Sequence, residues 1–190
     1  MASSDATVID DMRRWLERAV IGLNLCPFAK AVHTKGQIHY AVSAATDAEA
    51  LRQDLIRELK ELLAHEASAR DTTLLIAPKV LADFLEYNDF LGVANRVLRK
   101  MKLEGMVQIA SFHPGFQFGG TDANDITNYT NRAPYPCLHL LREASIDRAV
   151  AAFPEAEAIF ERNKATMEAL GQNGWDALGV GKSPDEDPPK

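Results

Sequence analysis

The spacing of apolar residues predicts three amphipathic helices in the first half of the chain. The first covers about 12–25 and ends there because Pro27 disfavours helical geometry at the residue before it. The second covers about 51–63, behind a Thr and a Glu spaced as a capping box at 46–49. The third covers about 81–101, and each presents one apolar face to a core.

Between these helices, short apolar and β-branched runs predict strands. They lie at about 36–42, 71–78, 106–112 and 136–143. Alternating strands and helices of this size favour βαβ units with some parallel pairing. The prediction is therefore an α/β (or α+β) domain, in which helices pack on a mixed sheet of about four strands.

The C-terminal part is predicted to hold two further helices, one capped by Ser145 and one that Pro154 opens and Gly171 ends. No linker or repeat divides the chain, so 1–171 is predicted to form one globular domain. The last nine residues lack apolar side chains, and we expect the extension 172–190 to be largely mobile.

Composition restricts the classes of function. The net charge of −6 and the pI of about 5.4 argue against a nucleic-acid surface or an anionic membrane surface, since both need clustered Lys and Arg. No basic and apolar leader and no membrane-length apolar run is present, which favours a cytoplasmic protein. Cys26 and Cys137 are then expected to stay reduced.

The connection from Ser111 to Cys137 is too long and too rich in Gly, Pro and Asn to follow either helical or strand periodicity. A long ordered loop in a compact domain is usually functional. His113 should lie at the carboxyl end of a strand, where open α/β sheets place their ligand crevices. The loop is therefore the predicted binding site for a small anionic molecule.

Arg132 supplies a planar fork of donors for a phosphate or carboxylate, and Asn128 and Asn131 supply amide donors. The other residues assigned to substrate binding are Gln117, Gly119 and Gly120 in the loop and Lys30 outside it. The glycines let a backbone approach the ligand closely. The alternative is structural: Asn, Gly and Pro form turns, and Arg132 caps a helix end.

Two residues are candidates for catalysis. His113 is the candidate acid or base because its ordinary pKa lies near neutrality, although a buried histidine can equally hold the bend before Pro114. Cys26 is the candidate nucleophile if Pro27 starts a helical turn, and Lys30 would then help to stabilise the thiolate. Otherwise Cys26 is a small buried apolar residue.

The sequence leaves metal binding open. Four side chains are of ligand type but lack a recognised spacing, namely Cys26, Cys137, His113 and His139. Strand alternation puts His139 on the face of Cys137, and a core position there would make it structural. Asp122 and Asp125 can hold magnesium or begin a short helix. No motif indicates a cofactor, and no GxxxxGK[ST] phosphate loop is present.

Several long segments occur together in a recognisable order: GLNLCPFAK, FLEYNDFL, IASFHPGFQFGGTD, DITNYTNRAPYP and LHLLREASIDRAV. With them the chain resembles the bacterial domain-of-unknown-function family numbered fourteen-fifteen, from about Met12 to Gly171. The resemblance implies a single cytosolic domain and no particular activity.

The preferred interpretation is an enzyme of small-molecule metabolism that binds a phosphate- or carboxylate-bearing ligand. One alternative is a ligand-binding or regulatory module without catalysis. The other is a structural or partner-binding protein with an aromatic surface formed by Phe84, Tyr87 and Phe90. The sequence leaves the oligomeric state open.

Overall fold

A mixed four-stranded sheet forms the centre of the protein in the computed structural model, which describes residues 4–152 and 158–184. The strands are β1 (Ile38–Val42), β2 (Thr72–Ile76), β3 (Val107–Phe112) and β4 (Cys137–Arg142), in the order β1-β2-β4-β3. β1 and β2 are parallel, and β4 is antiparallel to both of its neighbours. The predicted α/β class and mixed sheet are confirmed.

The strands β1, β2 and β3 run in the same direction, so the ends of the strands form two distinct sides of the sheet. We call these sides the carboxyl edge and the amino edge. The carboxyl edge is where β1, β2 and β3 end and β4 begins, since Cys137 pairs with Ile76 and Phe112. The opposite amino edge is where β1, β2 and β3 begin and β4 ends at Arg142.

One face of the sheet is covered by α3 (Ala48–Ala64) and α4 (Phe84–Lys100). The leucines of α3 at 51, 55, 59 and 62 are buried against β2 and β4, which confirms the predicted apolar stripe. The side chain of Asp47 caps α3 by accepting a hydrogen bond from the Ala50 N–H at 2.8 Å. The predicted cap at Thr46 is therefore wrong by one residue.

The other face is covered by α1 (Asp5–Trp15), a π-helical turn (Leu16–Ile21) and the adjoining α2 (Ala29–Thr34). The first helix starts seven residues before the predicted Met12, because Ser4 caps it at the Thr7 N–H. The π-helical turn ends at Gly22, where a Cβ atom would lie 2.2 Å from the Arg18 carbonyl oxygen. Only glycine permits this close approach.

A 3-10 helix (Ile126–Asn131) interrupts the long connection between β3 and β4, and α5 (Glu143–Ala152) and α6 (Ile159–Ala177) follow β4. Ser145 lies inside α5 and donates to the Asp71 carboxylate at 2.5 Å, so the prediction that it caps a helix is wrong. The predicted helix start at Pro154 lies outside the described residues.

The C-terminal segment packs further than the sequence predicts. α6 kinks at Gly171, which has a φ of 63°, and continues to Ala177. Trp175 packs edge-on against Tyr129, and Val180 is buried in the core on the α1 face. The predicted helix end at Gly171 therefore coincides with this kink, Trp175, Val180 and Ser183 beyond it contact the rest of the domain, and 185–190 lie outside the described residues.

The helices of the described residues are 6 to 19 residues long. None of them is long and apolar enough to cross a membrane.

Candidate functional site

His113 lies where the sequence predicts, directly after β3 at the carboxyl edge. It is almost completely buried, and its Nε2–H donates to the Leu81 carbonyl at 3.0 Å. Its Nδ1 accepts a hydrogen bond from the Gly115 N–H at 2.9 Å, so both ring nitrogens are occupied. Burial lowers the pKa of His113 and favours the neutral ring. This geometry matches the structural alternative, in which His113 holds the bend.

Asn128 is fully buried at the centre of the long loop. Its Oδ1 accepts hydrogen bonds from the Phe118 N–H and the Thr121 hydroxyl, both at 2.9 Å. Its Nδ2 donates to the Asp122 carbonyl at 2.9 Å. The amide therefore organises the loop backbone and is not aimed at a cavity.

The Arg132 guanidinium has a similar role. Its Nε donates to the Phe116 carbonyl at 3.1 Å, and its Nη2 donates to the Ala123 carbonyl at 2.7 Å. It also lies over the Tyr129 ring, 4.2 Å from the centroid. The fork that the sequence assigns to a phosphate or carboxylate thus binds two carbonyls of its own loop.

Asn131 joins the loop to β3. Its Nδ2 donates to the Ser111 carbonyl at 3.1 Å, while its own carbonyl accepts from the His113 N–H at 3.2 Å. With these bonds the end of β3 and the end of the 3-10 helix are fixed to each other.

The predicted glycine segment forms a turn at the surface. The Thr121 N–H donates to the Phe118 carbonyl at 3.2 Å, and Gly120 has a φ of 80°, as the third position of a type II turn requires. Gln117 closes the same turn by donating from its Nε2 to the Thr121 carbonyl at 2.7 Å. Gly119 is exposed beside it.

Asp122 and Asp125 cap local backbone. Asp122 accepts from the Asn124 N–H at 2.9 Å, and Asp125 accepts from the Thr127 N–H at 2.9 Å and the Thr127 hydroxyl at 2.7 Å. Asp125 is the N-cap of the 3-10 helix, which is the alternative that the sequence left open. Among the described residues, no cluster of three or more His, Cys, Asp or Glu side chains could hold a metal ion.

Cys26 precedes the turn that leads into α2, and its carbonyl accepts from the Ala29 N–H at 3.2 Å. Burial raises the pKa of the Cys26 thiol, although hydrogen bonds from the Phe28 and Ala29 backbone N–H groups oppose this rise. The N-cap of α2 is Phe28, so the N-cap position considered for Cys26 is wrong, and burial favours the thiol. Lys30 is exposed on α2.

His139 and Cys137 lie on the same face of β4, as strand alternation predicts. The His139 Nε2 lies 2.6 Å from the Thr72 hydroxyl, and burial lowers the pKa of His139 to about 4. The imidazole is therefore neutral near pH 7 and forms part of the sheet packing.

The aromatic segment of α4 faces inward. Tyr87 and Phe90 are buried in the core, and the Tyr87 hydroxyl donates to the Cys137 carbonyl at 2.8 Å. Phe84 packs on the His113 ring, with centroids 5.4 Å apart. Tyr87 and Phe90 thus belong to the core, and only the partly buried Phe84 remains of the predicted aromatic surface.

A second polar cluster at the carboxyl edge was missed by sequence reasoning. Asp11 on α1 is completely buried, and its carboxylate accepts from the Tyr135 hydroxyl at 2.9 Å and from the Ser183 N–H and hydroxyl at 2.9 and 2.6 Å. Arg14 pairs with the same carboxylate. The cluster fastens the C-terminal segment to α1.

A pocket of about 460 Å³ opens at the amino edge, between α3, the start of β1 and the connection before β2. We call it the amino-edge pocket. Its lining residues are Gly36, Ile38, His39, Glu58, Glu61, His65, Ala69 and Arg70. Five of these eight side chains are titratable, which none of the sequence predictions anticipated.

The floor of the amino-edge pocket is a buried ion pair. Arg70 donates from Nη2 to the Glu58 carboxylate at 2.6 Å and from Nε to the Thr73 hydroxyl at 2.9 Å. Both charged side chains are only 8% exposed. Such a pair is stable only when its remaining polar atoms also find partners, so the floor is a rigid polar surface.

Arg142, the last residue of β4, holds the walls of this pocket together. Its Nη2 donates to the carbonyls of Leu62, His65 and Arg70, at 2.5 Å for His65 and 3.2 Å for Arg70. The end of α3 and the segment before β2 are therefore tied to the same guanidinium.

His39 is the accessible titratable group beside the floor. Its Nε2 lies 3.9 Å from the nearer Glu58 oxygen, and its side chain is 47% exposed. Partial burial and then the positive charge of Arg70 lower the pKa of His39, whereas Glu58 opposes this shift. The imidazole is therefore neutral at neutral pH and can accept a proton from a molecule in the pocket.

The sequence contains a signal for each of the two polar clusters that it did not predict, the cluster around Asp11 and the cluster around Glu58. In both, a charged residue lies within the apolar stripe of a helix. Glu58 occupies a core-facing position of α3 between Leu55 and Leu62, and Asp11 lies between Val8 and Met12 on α1. A charged residue on an apolar stripe requires a buried partner. The identity of each partner depends on tertiary contacts, because Arg70 and Ser183 lie 12 and 172 residues away.

Comparison with known proteins gives a family and no activity. Neither the curated proteins nor the solved structures contain a significant match to this chain. One family model matches residues 7–177, which is most of the chain and agrees with the resemblance seen in its motifs. The chain therefore belongs to the family described as "Protein of unknown function (DUF1415)".

Proposed function

We propose that the protein binds a small polar metabolite in the amino-edge pocket and that it is an enzyme in which His39 accepts a proton. The observation that supports this most directly is the meeting of accessible His39 with the buried Glu58–Arg70 pair in one cavity. Its volume of about 460 Å³ lies within the range of small-molecule sites.

The assigned roles follow from burial and charge. Arg70 is fixed by Glu58 and Thr73, so its remaining Nη1 is a positioned hydrogen-bond donor for a carboxylate or phosphate. His39 lies beside it with a lowered pKa and is the general-base candidate. The anionic ligand expected from the sequence is retained, and its site moves from the long loop to the opposite edge of the sheet.

Thermal unfolding of the full chain tests the binding site. A panel of carboxylates, phosphates and amino acids is added to the wild type and to His39→Gln. The control is His33→Gln, which removes a surface histidine 3.2 Å from Glu17. A ligand at about 100 times its Kd stabilises by roughly 2.7 kcal/mol, so the midpoint should rise by several degrees.

The rise should be lost in His39→Gln and kept in His33→Gln. A rise in the unfolding midpoint that persists in His39→Gln would show that the ligand binds outside the amino-edge pocket. Absence of any rise across the panel would contradict binding of these ligand classes altogether.

A non-catalytic ligand-binding module is the second candidate, because the two residues predicted to be catalytic are constrained. Both nitrogens of His113 are occupied, and burial raises the pKa of Cys26. Proton NMR of a bound ligand over time separates the two functions. Turnover by the wild type that is absent in His39→Gln supports the enzyme, and an unchanged ligand supports the module.

We also propose that the protein is a cytosolic bacterial protein, as the family resemblance implies. Its two cysteines are unpaired, which is the usual state of thiols in a reducing compartment.

A further inference from the structure

The amino-edge pocket combines a donor at its floor with acceptors at its mouth. Glu58 and Arg70 at the floor are buried, whereas Glu61 and His65 at the mouth are exposed. All four line the same cavity. We infer that its ligand is amphoteric, carrying an anionic group and an ammonium group on one small molecule. This inference rests on the proposed function and adds the class of substrate.

The floor provides the anion subsite. The Nε and Nη2 atoms of Arg70 are used by Thr73 and Glu58, and its Nη1 makes no hydrogen bond with any described residue. Glu58 is the only carboxylate at the floor, and it is already paired with Arg70 and, at 3.3 Å, with Arg57. A carboxylate that approaches Nη1 therefore meets a neutralised acid and an available donor.

The mouth provides the ammonium subsite. No described basic side chain forms an ion pair with Glu61, so its carboxylate is available to a ligand. The His65 Nδ1–H donates to the Glu61 carbonyl at 2.8 Å, because a carbonyl oxygen can only accept. In the neutral ring this leaves Nε2 as an acceptor, and an ammonium group supplies the donors that both acceptors lack.

The order of these groups along α3 supports two separate subsites. Glu58 and Glu61 are three residues apart on one face of α3, and the C-cap His65 is bonded to the Glu61 carbonyl, so the three run from the buried floor to the open mouth. An anionic molecule without an amine would leave Glu61 unpaired and would face its negative charge. An amine without an acid would leave the Arg70 donor unused.

Three probes of similar size test this class: γ-aminobutyrate, butyrate and butylamine. Each is titrated into the full chain while the ring resonances of His39 and His65 are followed by NMR. γ-Aminobutyrate should bind about three- to fivefold more tightly than either single-charge probe, the gain expected of one exposed ion pair. Glu61→Gln should reduce its affinity to that of butyrate.

Glu66→Gln is the matched control, because it removes the same charge from an exposed residue outside the lining of the pocket. It should leave all three affinities unchanged. Equal binding of butyrate and γ-aminobutyrate, or an unaltered ratio in Glu61→Gln, would overturn the amphoteric class while the proposed pocket stands. Failure of all three probes, while a ligand from the thermal panel shifts His39, would also overturn the class alone. Failure of the probes and of the whole panel would overturn the proposed function as well.

Discussion

The two edges of the sheet use polar side chains in opposite ways. At the carboxyl edge, Asn128 and Arg132 direct their donors to backbone carbonyls of their own loop, and His113 uses both ring nitrogens. At the amino edge, His39 is accessible and the Arg70 Nη1 has no partner among the described residues. A high density of polar residues thus forms an ordered loop at one edge, whereas the free donors and acceptors at the other are the basis of the proposed binding site.

This difference follows from how each region is built. A long connection without helix or strand leaves many backbone groups that must find hydrogen-bond partners. Asn, Asp and Arg side chains satisfy those groups in the long loop, so few donors remain for a ligand. At the amino edge α3 forms its own backbone hydrogen bonds, β1 pairs with β2, and Arg142 alone donates to three further carbonyls, so His39 remains accessible.

The largest effect is expected at the floor of the amino-edge pocket. Arg70→Ala removes the buried partner of the Glu58 carboxylate and leaves it only the exposed Arg57 at 3.3 Å, which should lower the free energy of unfolding by about 3–4 kcal/mol. Chemical denaturation measures this loss. The control Arg52→Ala removes an exposed partner of Glu49 on the same helix and should change the midpoint very little.

Replacing both members of the Glu58–Arg70 pair separates the effect of an unpaired charge from the effect of lost packing. The double variant Glu58→Leu with Arg70→Leu should regain most of the stability, because no buried charge is left without a partner. A double variant as unstable as Arg70→Ala would show that packing around these side chains, rather than the unpaired charge, causes the loss.

The second largest effect is expected in the long loop. Asn128→Ala removes three hydrogen bonds and leaves buried backbone groups unsatisfied, which should cost about 2–3 kcal/mol. Ligand affinity in the amino-edge pocket should not change. Asn124→Ala, an exposed residue of the same loop, serves as the control in thermal unfolding and ligand titration. Loss of affinity in Asn128→Ala at a temperature where it remains folded would restore the loop as the site.

The fold was largely predictable from the sequence, because the local periodicity of apolar residues predicts most of its helices and strands. The apolar stripes of α3 and α4 and the buried run of β2 were sufficient to predict the mixed sheet. The predicted start of a helix was wrong where a single capping residue determines it, as with Ser4 before α1 and Asp47 before α3. α2 was not predicted as a helix, since Ala29–Thr34 is too short for a clear apolar stripe.

The site proposed from the structure lies at the opposite edge from the site predicted from the sequence, and this difference has a physical reason. The sequence shows that Arg132 and Asn128 are donors, but not whether a carbonyl of the same loop already accepts from them. It likewise shows Glu58 and Arg70 as separate charges, twelve residues apart. Only the tertiary structure brings these two together and leaves His39 accessible beside them.

A smaller, pH-dependent effect is expected where the C-terminal segment meets α1. Burial raises the pKa of Asp11, but hydrogen bonds from Ser183, Tyr135 and Arg14 together hold it below the ordinary carboxyl value. A lowered folded pKa stabilises the protein above the unfolded value of about 3.9, and this stability is lost as the pH falls through the folded pKa. The fastening of residue 183 should therefore weaken below about pH 4.

Ser183→Ala tests this fastening. It deletes the hydroxyl that donates to Asp11 at 2.6 Å and should cost about 1–2 kcal/mol at pH 7. The difference from the wild type should shrink in acid, because a protonated Asp11 no longer forms a charge-assisted bond. A difference that stays constant from pH 7 to about pH 3 would mean that the Asp11 charge does not contribute.

The smallest effect concerns Cys26. It is measured as the rate at which the Cys26 thiol is alkylated, and not as a change in the stability of the protein. Since burial raises the pKa of its thiol, Cys26 should react with iodoacetamide more slowly at pH 7 than a free cysteine, and its rate should keep rising beyond the ordinary thiol pKa of about 8.5. Mass spectrometry of the full chain follows the labelling, and Cys26→Ser reports the contribution of buried Cys137.

Lys30→Ala should leave the rate unchanged, because the backbone N–H groups of Phe28 and Ala29 are the groups that favour the thiolate. Labelling faster than that of free cysteine, together with slowing in Lys30→Ala, would instead identify an activated nucleophile and bring catalysis back to the α2 side of the molecule.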